Sequence, residues 1–221
     1  MSDQQYLKVA AVAAFLLAAT TLGVHFITFP TETLEQRVQL VNNPLYHFRN
    51  GLLVFHCVLA IVSLYGFVVV KRSTHFAAVS VGIIFFSFFS FTEVLRMMLN
   101  SWYANGLRQR YLEATDESIK VLLKHDLELW GLSSNSLFLV FILCFAVGNL
   151  FYGLALYQDT EPISRWLGYG FLLWSSFTFL ALGNDFWKNE ILDWVVEINN
   201  KYYQPTIRLA IGVWLWKKSS A

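Results

Sequence analysis

Five apolar segments, each long enough to cross a bilayer as a helix, limit the folds open to this chain more than any other feature. They cover residues 6–29, 50–70, 76–99, 127–157 and 163–182. A helix that crosses the hydrocarbon core of a membrane needs about 20 mostly apolar residues. The composition agrees, because only 14% of the residues are charged, against about 25% in soluble proteins. The sequence therefore predicts an all-α integral membrane protein with a single transmembrane domain, residues 1–221.

A weaker sixth segment at 188–217 completes the predicted bundle. After Pro205 it offers only about a dozen apolar positions, too few to cross about 30 Å of hydrocarbon. Residues before the proline must therefore contribute to the span, and a proline within a helix commonly kinks it. We expect a helix with a break near Pro205. The predicted architecture is a bundle of about six transmembrane helices, arranged as three helical hairpins.

The long connections on one face of the bundle are predicted to carry short amphipathic helices. Thr33 and Gln36 have the spacing of a capping box at the start of one such helix. In the connection 100–126, Thr115 or Asp116 can cap a second helix, which is expected to run into the fourth span. These helices could lie at the membrane interface or cover a pocket.

Basic residues near the span ends favour one orientation of the bundle. The basic residues on the side of the termini and the short turns are Lys8, Lys71, Arg72, Arg165, Lys217 and Lys218. Cytoplasmic loops of membrane proteins carry an excess of Lys and Arg. Both termini are therefore predicted to be cytoplasmic.

The expected partners are membrane lipids, with another membrane protein or a second copy of the chain as further possibilities. The formal net charge is only +1, and the aromatic residues lie within hydrophobic runs rather than among basic clusters. These features exclude a typical nucleic-acid surface. Cys57 and Cys144 also lie in apolar runs, where a cysteine usually acts as a small hydrophobic residue.

Polar side chains concentrate at the end of the predicted bundle that carries the long connections. Glu93 and Arg96 lie one turn apart on the third span, so they can pair and reduce the cost of burying either charge. The candidate ligand-binding residues at this end are His25, His56, Glu93, Arg96, His125, Asp126, Glu128 and Asn135. Such a cluster could form a metal or haem site, a proton-handling site, or a pocket for a polar head group.

No motif selects a particular cofactor. The chain has no HExxH, no CxxCH and no pair of histidines at i and i+4. His56 and His125 are the candidate metal ligands, and the identity of any metal or cofactor stays open.

Several segments resemble a bacterial family of six-helix integral membrane proteins that is defined as a domain of unknown function. They are "LVNNPLYHFRNGLLVF", "FTEVLRMML", "HDLELWGLSSNSLFLVFILCFAVGNLFYGLALYQDTEPISRWLGYGFLLW" and "QPTIRLAIGVWLWKK". This chain departs from the family at Arg208, where members tend to carry an acidic residue. The resemblance implies the six-helix fold and a bacterial inner-membrane location, but no activity.

Three functions follow from these patterns. The favoured one is a non-enzymatic membrane module that binds a lipid-like ligand or a partner protein at the polar end. The alternative is a membrane-embedded metal- or haem-dependent enzyme or redox protein that uses the histidines and carboxylates there. The third is a transporter or proton pathway that passes Glu93 and Arg208.

Overall fold

All regular elements in the described part of the chain are helical. The computed structural model describes the backbone of residues 1–187 and 190–220 and the side chains of residues 1–184 and 192–220. The α-helices are α1 (Asp3–Phe26), α2 (Leu34–Gln39), α3 (Pro44–Lys71), α4 (Phe76–Leu99), α5 (Asn105–Glu113), α6 (Glu117–Tyr157), α7 (Pro162–Trp187), α8 (Glu190–Ile198) and α9 (Gln204–Ser219). Two π-helical segments, Asn100–Ala104 and Asn199–Tyr203, join α4 to α5 and α8 to α9.

Within the described residues, five helical stretches are long and apolar enough to cross a membrane. They are Asp3–Phe26, Pro44–Lys71, Phe76–Glu113, Glu117–Tyr157 and Pro162–Asn184. They correspond to the five strong segments of the sequence, although α3 begins six residues earlier than predicted. The weak sixth segment is not among them, and its predicted start at Lys188 lies outside the described residues.

Pro205 does not break the last helix. It lies in the first turn of α9. Proline is well tolerated there, because its fixed φ angle suits the first turn of a helix. The irregular backbone instead falls just before it, in the π-helical segment Asn199–Tyr203. The predicted break is therefore a π-helical segment within continuing helical backbone.

The third predicted span, 76–99, coincides with α4, but the helical backbone does not end there. The helix continues through Asn100–Ala104 into α5, because side chains beyond the apolar run hold it in place. Arg108 donates hydrogen bonds to Tyr46 on α3 and to Asn105, both at 2.6 Å. Only residues 114–116 then separate α5 from α6.

Two predicted helix starts are confirmed. Thr33 and Gln36 form the reciprocal capping box of α2, with hydrogen bonds of 3.2 and 3.1 Å. Asp116 caps α6 by accepting a hydrogen bond from the Ser118 N–H at 2.8 Å. The α6 helix then runs on without interruption through the fourth predicted span.

The long helices α1, α3, α4, α6 and α7 pack against one another in that order. The last helix, α9, packs mainly along α1 and makes much smaller contacts with α7. The predicted third hairpin is therefore looser than the first two. Contact between α9 and α1 brings the two ends of the chain together.

An aromatic layer fills the middle of the bundle. It consists of Phe67, Phe86, Tyr152, Phe171 and Trp214, each at most 1% exposed. Phe67 stacks on Trp214 with ring centroids 4.7 Å apart and meets Phe171 edge to face. The Tyr152 hydroxyl donates to the Leu64 carbonyl at 2.9 Å, so the most polar atom of the layer is satisfied.

At the end that carries the short turns, ion pairs join α3 and α9 to the turn between α6 and α7. Lys71 at the end of α3 pairs with Asp159 in the turn between α6 and α7. Lys218 on α9 pairs with Glu161 of the same turn at 2.6 Å. Ser164 donates to Glu161 and accepts a hydrogen bond from the Trp214 indole, which connects these charges to the aromatic layer.

Candidate functional site

A cavity of about 910 Å³ lies at the opposite end of the bundle from these ion pairs. Its walls come from the end of α1, the start of α3, the end of α4, the middle of α6, the end of α7, and from α8 and α9. The aromatic layer lies deeper along the same helices, toward the short turns. The cavity therefore occupies the end of the bundle where the sequence concentrates its polar residues.

Part of the cavity lining is apolar. It carries Leu53, Phe89, Met97, Phe138, Phe141, Ile142 and Phe145. Four of these lie on α6 at spacings close to the helical repeat, so the helix presents one apolar stripe to the cavity. Phe89 stacks against Phe141 with ring centroids 4.5 Å apart, which fixes the surface where α4 meets α6.

The lining also carries charged side chains of mainly one sign. The charged residues that line the cavity are Arg49, Glu93, Arg96, Arg108, Asp193 and Arg208. Among these described residues there are four guanidinium groups and two carboxylates, so positive charge predominates.

Glu93 and Arg96 form the pair that the sequence predicts. Arg96 donates to both carboxylate oxygens of Glu93, from Nε at 2.8 Å and from Nη2 at 2.7 Å. Glu93 is only 3% exposed, and the Arg96 guanidinium lies 5.3 Å from the centre of the Phe138 ring. The pair is neutral as a unit, and Arg96 is the one cation within ion-pair distance of Glu93 among the described residues.

Arg208 is the most buried cation of the cavity, with 4% of its surface exposed. Its Nη1 donates to the Thr21 hydroxyl, and its guanidinium lies 5.4 Å from the centre of the Trp174 ring. Its Nε has no hydrogen-bond partner, and no carboxylate pairs with it in the part of the chain that the structure describes. Arg208 therefore contributes a positive charge to the cavity lining without a paired carboxylate among the described residues.

Arg108 and Arg49 lie nearer the mouth of the cavity. Arg108 uses Nη1 on Tyr46 and Asn105, and Arg49 donates from Nε to the Val24 carbonyl at 3.4 Å. All of these partners are neutral. Neither arginine forms an ion pair within the described residues.

The two histidines of this cavity differ in their surroundings. His56 is buried on α3 and its Nδ1 lies 2.9 Å from the Thr20 hydroxyl of α1. His25 lies near the end of α1 and packs edge to face against the Phe26 ring. Both line the cavity.

The structure brings together half of the predicted site residues. His25, His56, Glu93 and Arg96 line the cavity, whereas the four candidates on α6 do not. His125, Glu128 and Asn135 are exposed, and Asp126 is half-buried outside the cavity. These four side chains lie away from the cavity because the apolar stripe of the same helix faces it. The two candidate metal ligands, His56 and His125, thus lie on different surfaces.

Sequence reasoning did not select Arg49, Arg108 and Arg208 as site residues. Arg49 and Arg108 lie outside the predicted spans 50–70 and 76–99. Arg208 enters the functional predictions only as part of a transport path. The available signal was an arginine inside the last apolar run, at Arg208. An ionisable residue in such a run marks a functional site by default.

The arrangement is suited to holding an amphipathic molecule. Guanidinium groups bind oxyanions through paired hydrogen bonds, and the aromatic and aliphatic wall can cover an apolar chain. Among the side chains of residues 1–184 and 192–220, no group of three or more His, Cys, Asp or Glu residues is placed to hold a metal ion. Comparisons with protein-family models, with curated proteins and with solved structures find no match to this chain.

Proposed function

We propose that the protein is an integral membrane protein that binds a lipid-like amphiphile in its cavity, without catalysing a reaction on it. The observation that carries the proposal is that one cavity of about 910 Å³ is lined both by a set of apolar side chains and, among its described charged residues, by more arginines than carboxylates. The volume suits a small amphiphile, because ligand pockets commonly measure about 300–1,000 Å³. The long apolar helices around it support a location in the bilayer.

The proposed arrangement in the membrane is six spans with both termini in the cytoplasm of a bacterial cell. Five long apolar helices support it, and the stretch from α8 to α9 supplies the sixth span by packing along α1. The basic residues at the short-turn end support the orientation. The cavity would then face the periplasmic side of the inner membrane.

Labelling of single cysteines tests insertion and orientation together. In a chain carrying Cys57→Ala and Cys144→Ala, a cysteine is placed at Ser73 or at Thr115, two exposed positions at opposite ends of the bundle. A membrane-impermeant maleimide should label Thr115→Cys in intact cells and Ser73→Cys only after permeabilisation. The reverse pattern would contradict the orientation, and equal labelling at both positions would contradict insertion.

Ligand binding is tested by native mass spectrometry of protein purified in a mild neutral detergent. The wild-type protein should carry a bound amphiphile. Ile142→Trp places a large side chain in the cavity and should remove that ligand. Leu143→Trp is the matched control, because Leu143 is the next residue of α6 and is 44% exposed outside the cavity.

Two results would refute the binding proposal. One is a wild-type protein that carries no amphiphile and is not stabilised by added amphiphiles. The other is equal retention of ligand by folded Ile142→Trp and Leu143→Trp proteins, since the ligand would then lie elsewhere.

A further inference from the structure

The cavity holds a buried cation whose charge and hydrogen-bonding capacity are not matched by the residues that the structure describes. Arg208 is 4% exposed, and its Nε has no partner among the described residues. A guanidinium does not lose its proton in proteins. Burial of an uncompensated charge in apolar surroundings is strongly unfavourable, so the site is incomplete without an anion.

A second residue of the cavity lining carries an unpartnered buried donor. The Nδ2 group of Asn50 has no hydrogen-bond partner among the described residues, and Asn50 is 4% exposed. Native proteins satisfy almost all buried polar groups. The lining therefore has unused hydrogen-bonding capacity on Asn50 as well as on Arg208.

The carboxylates that line the cavity among the described residues do not fill this role. Both oxygens of Glu93 accept hydrogen bonds from Arg96. Asp193, on α8, is exposed and accepts a hydrogen bond from Asn184 at 2.6 Å. The remaining lining charges, on Arg49 and Arg108, are positive. A bound anion could therefore supply the counter-ion that Arg208 lacks in the described part of the chain.

We propose that the ligand is an amphiphile with an oxyanion head group, a phosphate or a carboxylate. The head group binds Arg208 and Asn50, Arg108 draws it into the cavity by its charge, and the tail lies against Phe141 and Phe145 of α6. This inference rests on the proposed function, because it specifies the class of ligand for the same cavity. Arginine suits the task, since its planar fork matches the geometry of either oxyanion.

The test compares three amphiphiles with the same chain length and one free anion. Purified protein in a neutral maltoside detergent is titrated with dodecyl phosphate, dodecanoate, dodecyltrimethylammonium or inorganic phosphate, and tryptophan fluorescence reports the unfolding midpoint. The two anionic amphiphiles should raise the midpoint in a saturable way. The cationic amphiphile and inorganic phosphate should not.

The free-anion arm separates a lipid head group from a soluble anion. If inorganic phosphate stabilises the protein as strongly as dodecyl phosphate does, the site binds a free oxyanion and the amphiphile inference is wrong. If the anionic and cationic amphiphiles stabilise it equally, the cavity binds a tail alone and the oxyanion inference is wrong, although the proposed function stands. If no amphiphile stabilises the protein, the proposed function itself fails.

Matched arginine variants locate the head group. Arg108→Gln and Arg110→Gln each remove one charge from α5, but only Arg108 lines the cavity, and Arg110 is exposed. Arg108→Gln should weaken binding of dodecyl phosphate about tenfold, and Arg110→Gln should leave it unchanged. Equal effects of the two variants would overturn the assignment.

Arg208→Lys tests the inner anchor while it keeps the positive charge. A lysine cannot reproduce the fork of donors, so the affinity for dodecyl phosphate should fall about tenfold. Unchanged affinity in folded Arg208→Lys protein would exclude Arg208 as the head-group ligand. If that variant does not fold, the comparison of Arg108→Gln with Arg110→Gln still tests whether an anionic head group binds in the cavity.

Discussion

At the scale of single residues, the charged side chains of the cavity fall into two kinds. Glu93 and Arg96 satisfy one another through two hydrogen bonds on the same helix. Arg208 has a threonine hydroxyl and an indole ring as partners, and neither carries a charge. The first pair therefore stabilises the fold, whereas the charge of Arg208 remains to be compensated.

Glu93→Gln tests the structural role of the pair. The amide keeps the size of the side chain but loses its charge and one acceptor oxygen, so Arg96 is left without a counter-ion beside an apolar wall. We expect the folded state to lose about 2 kcal/mol, since hydrogen bonds to charged groups contribute about 1.5–3 kcal/mol. The unfolding midpoint in detergent should fall accordingly.

Glu117→Gln is the matched control for this substitution. Glu117 also pairs with a cation at i+3, Lys120, but it lies at the exposed start of α6 with 81% of its side chain accessible. Exposed pairs contribute little, so this variant should keep the wild-type midpoint. Equal midpoints for both variants would contradict a structural role of the Glu93 pair.

At the scale of the elements, close packing of helix backbones holds α6 against α7. Gly168 on α7 approaches the end of α6 so closely that a Cβ there would lie 2.4 Å from the Tyr157 backbone nitrogen. Gly153 on α6 faces Leu172 of α7 in the same way, with the Leu172 nitrogen 3.0 Å from its Cβ position. Small residues let helices approach each other in this manner within membranes.

Gly168→Ala should separate these helices and destabilise the protein by about 1–3 kcal/mol, the usual cost of overpacking. Backbone atoms form the obstacle, so rotation of a side chain cannot relieve the clash. The matched control is Gly131→Ala on α6, where a Cβ would meet nothing within 4 Å. Thermal unfolding in detergent measures both, and a Gly168→Ala protein as stable as Gly131→Ala would contradict the packing described.

The sequence predicts most of the long helices, because apolar length alone defines them. The third span shows where this criterion stops. Its apolar run ends at Leu99, but the helix continues to Glu113. The continuation depends on contacts such as Arg108 with Tyr46, whose positions are 62 residues apart. The composition of the segment itself cannot indicate a contact with such a distant residue.

The sequence predicts contacts within the site only where both residues lie on the same helix. Helical spacing places Glu93 and Arg96 on one face, and the structure confirms that they pair. The same reasoning grouped Glu128 and Asn135 with them by depth, but both are exposed. The depth of a residue along the bundle does not determine which way its side chain points around the helix axis. Which face of α6 lines the cavity depends on the helices that it packs against.

At the scale of the whole molecule, the ends of the bundle are held differently. The short-turn end carries the ion pairs of Asp159 with Lys71 and of Glu161 with Lys218. Burial disfavours the charged form of Asp159, but Lys71 outweighs this effect and holds the pKa of Asp159 below its ordinary value of 3.8. Burial likewise opposes ionisation of Glu161, while Lys218 and Ser164 lower the pKa of Glu161 below 4.5.

These two carboxylates should make the fold sensitive to acid. A carboxyl group whose pKa is lower in the folded state stabilises it fully above its unfolded pKa and loses that contribution as the pH falls through the folded pKa. The unfolding midpoint in detergent should therefore stay level from about pH 7 to about pH 5 and fall below about pH 4.5.

Two variants identify the groups responsible for this acid sensitivity. Asp159→Asn should lower the midpoint at neutral pH and flatten its fall in acid. Asp3→Asn removes an exposed partner of Arg72, with 58% of each side chain accessible, and should leave the acid profile unchanged. An acid profile of Asp159→Asn identical to the wild-type profile would exclude the ion pair as its source.

The aromatic layer makes the two faces of the molecule unequal. Its five rings are at most 1% exposed and lie between the cavity and the ion-paired end. In the bilayer arrangement that we propose, these rings separate the cavity from the cytoplasmic end of the bundle. A ligand in the cavity would then exchange only with the opposite side of the membrane, and passage of an ion through the bundle would require the rings to move apart.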